Sequence, residues 1–276
     1  MRRLESLSRD SGLFSVPSVS SVGKDDGGRV YYEMEFVVGQ TLESMIEDML
    51  PSEISDYAQH LHKIHSYFAN QKPLDNAKPT NEWEFLLGKL YDIRFFLDTM
   101  THPLLPNAEL VTNYKNLVEE LSSTTPTWET NLTFCHGDFA LDNLLISRDR
   151  EVYLIDPLIN DFESVWWDRA KVLQSSLIQW GKIKRGEVSV EAESGAVFVQ
   201  GVGKMYEFNL AYLAANQDIA ESEPLTLYLA VTLTRIVRHA KSSLQMEALL
   251  ALTNRLLRQY LRKEEIRHES IITVRR

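Results

Sequence analysis

Residues 132–157, LTFCHGDFALDNLLISRDREVYLIDP, interrupt a chain that is otherwise helical in texture from Thr41 onward. LTFCHGD reads as a strand, and the two apolar runs NLLI and VYLID, separated by the SRDR turn, read as strands that fold back on each other. A single hairpin set among helices, with β-rich residues only near the N-terminus, points to an α+β fold and not to a pure bundle or sandwich. Antiparallel return of the second strand brings Asp156 towards Asn143, and Asp138 stands five residues before Asn143 in the same loop. Two carboxylates and an amide oxygen converging in this way are hard oxygen donors of the kind that suit Mg²⁺.

Ahead of this hairpin, SVPSVSSV and RVYYEMEFVV flank KDDGG, which is a second hairpin signal. At Gly39 the period changes. Leu42, Met45, Ile46 and Met49, then Ile54, Tyr57, Ala58, Leu61 and Ile64, recur at helical spacing. Thr41 and Ser52 are the expected N-caps, and Pro51 separates the two helices. Further helices are expected over 82–100 and 108–123. From Trp166 almost to the C-terminus the texture is helical, including AVFVQGVGKMYEFNLAYLAAN.

The order Asp-x₄-Asn, strand, Asp is the order of catalytic and metal-binding residues in protein kinases. HGDFALDN followed by IDP resembles the aminoglycoside phosphotransferase and choline kinase family of small-molecule kinases. YYEMEFVVGQTL resembles that family's last N-lobe strand, hinge and entry to the C-lobe. LHKIH resembles its LxxLH segment, and SVWWDRAKVLQS the Asp-containing helix that follows the metal Asp. The likeness spans roughly residues 5–179.

It implies a protein-kinase-like fold: a remnant of the β-rich N-lobe over 1–38 and a mainly helical C-lobe with a central β-hairpin over 39–276. It implies transfer of the γ-phosphoryl of ATP or GTP to a hydroxyl of a small molecule, an aminoglycoside, a choline-like compound or a sugar. By the same resemblance Asp138 accepts the hydroxyl proton, Asn143 and Asp156 hold Mg²⁺, and His136 braces the loop. Backbone groups of Glu35, Phe36 and Val37 meet the adenine. Glu5 is the candidate for the helix glutamate of the N-lobe, and Asp142 has no role beyond an Asx turn.

A kinase of this type also uses a Gly-rich loop and a strand lysine paired to that glutamate. No GxGxxG precedes Glu33, and Lys24 falls in the KDDGG turn. The expectation is therefore a shortened N-lobe, with the missing parts lying upstream or coming from a second copy or a partner. The rival reading is a catalytically silent binding or assembly module built on the C-lobe.

Composition narrows the remaining classes. The net charge of −10 argues against nucleic acid as a partner. No apolar run approaches ~18 residues, so no membrane span is expected. MRRLESLSRD lacks the apolar core of a signal peptide, and the single cysteine, Cys135, permits no intrachain disulfide; a cytoplasmic location is the expectation. Cys135 and His136 point to opposite faces if extended, so a small buried cysteine is favoured over a thiol site. His60, His62 and His65 are favoured as packed residues over metal ligands. Glu207, Asp218, Glu221 and Glu223 are open to two accounts, a surface role or a seat for a cationic acceptor.

Overall fold

The computed structural model describes residues 2–25, 27–73, 81–100, 106–128, 132–158, 162–191, 194–201, 203–217, 223–264, 266 and 271–275. The chain begins with helix α1 (Arg2–Ser11), which buries Leu4 and Leu7. Strands β1 (Val19–Lys24) and β2 (Val30–Met34) follow as an antiparallel pair around the expected turn, with Lys24 ending β1. Val22, Tyr31, Tyr32 and Met34 on this two-stranded ribbon are exposed.

β3 (Gly39–Thr41) pairs antiparallel with β4 (Leu144–Ser147), and β4 pairs with β5 (Val152–Leu154). The central hairpin is thus widened into a three-stranded sheet by the residues just after the hinge segment. Gly39 makes that approach feasible, because a Cβ there would run into the Ile146 carbonyl. Gly39→Ala is expected to lower stability by about 1–3 kcal/mol through this overpacking. A shifted urea midpoint would register it; an unchanged midpoint would mean that β3 is free to move off β4.

Helix α2 (Leu42–Met45) is capped by Thr41, whose side chain accepts from Ser44 N. The next helix, α3 (Pro51–Ala69), starts two residues earlier than a Ser52 cap requires. Pro51 takes the first helical position, where its missing N–H costs nothing, and Glu53 turns back to accept from Leu50 N at 2.9 Å. Helices α4 (Glu82–Thr99) and α5 (Ala108–Ser122) agree with the periodicity, each opened by an asparagine cap.

The expected strand over LTFCHGD does not form. Thr133 N and Phe134 N donate instead to the carbonyls of Glu163 and Gln71, so the segment is tied down as irregular chain. Beyond it run α6 (Val165–Ser176) and α7 (Trp180–Arg185). The helical reading then fails at AVFVQ. β6 (Val188–Glu191) and β7 (Ala196–Gln200) form an antiparallel pair, and β8 (Thr273–Arg275) adds to β7 in parallel. Val197 and Val199 point inward on alternate positions, a period of two that the apolar helix after them had masked.

Among the described residues three long helices lie between β7 and β8: α8 (Lys204–Ala215), α9 (Glu223–Val237) and α10 (Ser243–Arg262). α9 is buried over nearly its whole length and packs against α4, α6 and α10. Trp167, Tyr114, Tyr212 and Tyr228 are among the largest fully buried side chains. Among the described residues, no helix is long and apolar enough to cross a membrane.

Candidate active site

Residues 136–143 turn between the irregular 132–135 segment and β4, and four contacts set their path. The carboxylate of Asp168, near the start of α6, accepts from His136 N at 2.7 Å and from Gly137 N at 2.8 Å. Ser175, two turns further along α6, accepts from Leu141 N at 3.2 Å. Asn143 Nδ2 donates to the Asp138 carbonyl at 2.9 Å, closing the loop on itself. Phe139, fully buried, anchors the middle against His65 and Phe68. The loop is possible only because Gly137 takes a φ of +84°, a region that side-chain-bearing residues avoid.

Asp138 and Asn143 line a recess of about 160 Å³, together with Glu43, Asp142, Lys171 and Trp180. Lys171 Nζ stands 2.9 Å from Asp138 Oδ1, with both side chains largely buried. Burial, then the charge of Asp142, raises the pKa of Glu43. Asp142 forms no Asx turn of the expected kind; its carboxylate lies 3.9 Å from Lys184 Nζ.

Asp156 sits just beyond β5. Ile155 N donates to the Asn143 carbonyl at 3.1 Å, so hairpin pairing brings the backbones of residues 143 and 155 together, with Asp156 the next residue. Asp156 has a φ of +53° and an exposed carboxylate with no hydrogen-bond or ion-pair partner among the described residues. A carboxylate held unpaired in a left-handed conformation fits a hard-cation ligand, and Asn143 keeps its Oδ1 available while its Nδ2 is engaged. Asp156 borders a larger cavity of about 760 Å³, lined by Glu5, Val19, Val22, Tyr32 and Leu158 among others. Glu5 thus shares a cavity with Asp156.

The hinge residues stand apart. Glu35 bonds Ser18 through both its N–H and its carboxylate, Phe36 is 87% exposed, and none of Glu35, Phe36 and Val37 is among the residues lining either cavity.

His136 is buried, its ring edge-on to Phe139 at 5.8 Å. Burial pulls its pKa down to about 4, against the opposing pull of Asp138. The ring is therefore neutral near neutral pH. Burial has the opposite sign for Asp168, raising it to about 7 in spite of its two N–H donors. Cys135 is buried and forms no disulfide. His60, His62 and His65 are bonded separately to the Leu13 carbonyl, Asn216 and Tyr212. Glu223 is engaged by Lys263 at 3.2 Å and by Thr127, while Asp218 and Glu221 lie outside the described residues.

Three participants were given no role by the sequence reading. WWDRAK places Asp168 and Lys171 at i,i+3, a spacing that puts both on one helix face, which was the available signal. Arg235, whose guanidinium lies 5.5 Å over Trp167 and senses the charge of Asp138, had none.

The model of the phosphotransferase enzyme family (APH) matches residues 1–182. The chain belongs to that family. This phosphotransferase is accordingly of the kinase type by descent, and its α+β architecture recurs in solved structures. An aminoglycoside phosphotransferase from Alicyclobacillus acidocaldarius subsp. acidocaldarius DSM 446 is 16% identical, with a TM-score of 0.50 over 95% of this chain and 81% of that one. The GDP complex of wild-type aminoglycoside 2'-phosphotransferase-IIIa is 16% identical, with a TM-score of 0.57 over 92% and 80%. A thermostable mutant of aminoglycoside phosphotransferase APH(4)-Ia, in ternary complex with AMP-PNP and hygromycin B, is 14% identical, with a TM-score of 0.57 over 94% and 81%. No curated protein matches the sequence.

Proposed function

We propose that this phosphotransferase moves the γ-phosphoryl of ATP or GTP to a hydroxyl of a small molecule, with residues 1–38 as the N-lobe part and 39–276 as the C-lobe. The observation that carries the proposal is the backbone proximity of the three positions: Asn143 Nδ2 donates to the Asp138 carbonyl, and Ile155 N, next to Asp156, donates to the Asn143 carbonyl. Asp138 orients the acceptor hydroxyl and takes its proton as the acceptor oxygen bonds to phosphorus and the bond to the leaving nucleoside diphosphate breaks. Asn143 and Asp156 are the residues to hold Mg²⁺, which when bound would neutralise charge on the nucleotide phosphates. His136, buried and neutral, supports the loop and transfers no proton. Nucleotide complexes of the structural neighbours support the donor class. The backbone of Glu35, Phe36 and Val37 is the proposed adenine contact.

A second reading, a silent binding module, draws on Glu5, whose carboxylate has no lysine or arginine partner among the described residues; Arg9 reaches only its backbone carbonyl. Thermal unfolding with Mg²⁺ and AMP-PNP or a GTP analogue separates the two. Nucleotide at about 100 times its Kd should stabilise the protein by ~2.7 kcal/mol, and Asp156→Ala should abolish the shift. Absence of any shift at millimolar nucleotide would decide for the silent module.

A further inference from the structure

The part of α6 beside Asp138 carries the Lys171 ammonium as well as the Asp168 carboxylate, whose two oxygens are taken up by backbone donors. Trp167 and Lys171 are one helical turn apart and share a face. Lys171 is ion-paired to Asp138, and Arg235 from α9 stacks over Trp167. Arg235 is largely withdrawn from water, and burial lowers its pKa. It forms no ion pair within the described residues, an arrangement that favours the arrival of an anion. Of the other acids of the recess, Asp142 lies 3.9 Å from Lys184, and burial raises the pKa of Glu43.

We propose that the acceptor is an anionic hydroxy compound, its reacting hydroxyl close to a carboxylate or phosphate, and that Lys171, with Arg235, selects it. The proposal rests on Asp138 as the group that receives the acceptor hydroxyl. When that hydroxyl bonds to Asp138, the substituent beside it comes within reach of the remaining N–H donors of the Lys171 ammonium. A carboxylate or phosphate there gains a charge-assisted hydrogen bond and the field of Arg235. An acceptor bearing ammonium groups, as an aminoglycoside does, would set like charges against both side chains. The same lysine neutralises Asp138 while the recess is empty, so anionic selectivity does not leave an unpaired buried carboxylate.

Calorimetry on the full chain tests this with four probes at millimolar concentration, each with and without Mg²⁺ and AMP-PNP: gluconate, glucose 6-phosphate, glucose and kanamycin. Gluconate or glucose 6-phosphate should bind at least about tenfold tighter than glucose, the value of one charge-assisted hydrogen bond, and kanamycin should bind weakest. Comparison of the two anions tells carboxylate from phosphate. Lys171→Met should remove that tenfold advantage, and Lys171→Glu should reverse the order in favour of kanamycin, an inversion that a merely structural lysine would not produce. Arg235→Met gives an independent reading should the Lys171 variants fail to fold. Tighter binding of kanamycin than of both anions to the wild-type chain would overturn the proposal. So would an unchanged anion preference in Lys171→Met or, if that variant does not fold, in Arg235→Met. Failure of both anions to bind would overturn it as well. Nucleotide binding is scored separately by the Asp156→Ala comparison, so loss of the anion preference with nucleotide binding intact refutes only the acceptor class.

Discussion

Asp168→Ala should cost roughly 3–4 kcal/mol of stability and loosen residues 136–141. Both carboxylate oxygens of Asp168 are occupied by backbone donors, and the side chain is fully buried. Removing it orphans the N–H groups of His136 and Gly137, at about 1–3 kcal/mol each when no water can replace the acceptor. Part of that loss is offset because a buried carboxylate is itself costly, as its pKa of about 7 records. Asn at 168 is expected to be nearly as damaging, since its amide would turn a donor towards one of the two donors it must satisfy. Urea unfolding at pH 8 measures the stability, and limited proteolysis within 136–141 reports the loop. A loss below about 1 kcal/mol would mean that the loop is held by its other contacts, Ser175 and Phe139.

The second large effect is expected in acid. The pKa of His136 falls from 6.5 to about 4 on folding because burial disfavours the imidazolium. Between those values the unfolded chain binds a proton that the folded chain does not, so stability falls as pH drops through the window. Over the whole window the loss amounts to about 3 kcal/mol for this one group. Asp168 runs the other way: its folded pKa lies above 3.8, so its contribution weakens as pH rises towards 7. That opposing effect cancels in the difference between wild type and His136→Asn, which both keep Asp168. The stability of wild type relative to His136→Asn should therefore decline by about 3 kcal/mol from pH 7 to pH 4. A flat difference would show that His136 is protonated in the folded chain, contrary to a neutral bracing role.

The candidate site residues could be picked out because they are close in sequence. Asp138, Asn143 and Asp156 fall within one loop and the hairpin that follows it, and the NLLI and VYLID runs announce that hairpin by composition alone. Helices α3, α4 and α5 were legible for the same reason, since each carries a clear apolar stripe. AVFVQ was not. Its five residues are too few to establish a period against the apolar helix that follows, and β7 exists because β6 and the distant β8 pair with it on both sides. LTFC failed in the opposite sense: its β-forming residues found single backbone acceptors in two separate segments and no strand to pair with.

Local order in the chain thus determined which residues could perform phosphoryl transfer and in what succession they appear. Tertiary structure decided what surrounds them. Asp168 clamps a loop 32 positions upstream, Lys171 neutralises Asp138, and Arg235 approaches from a helix near the far end of the chain. The physical reason is that hydrogen-bond spacing and side-chain period are properties of neighbouring residues. The charge beside a reacting carboxylate is a property of whichever helices the core packs against it.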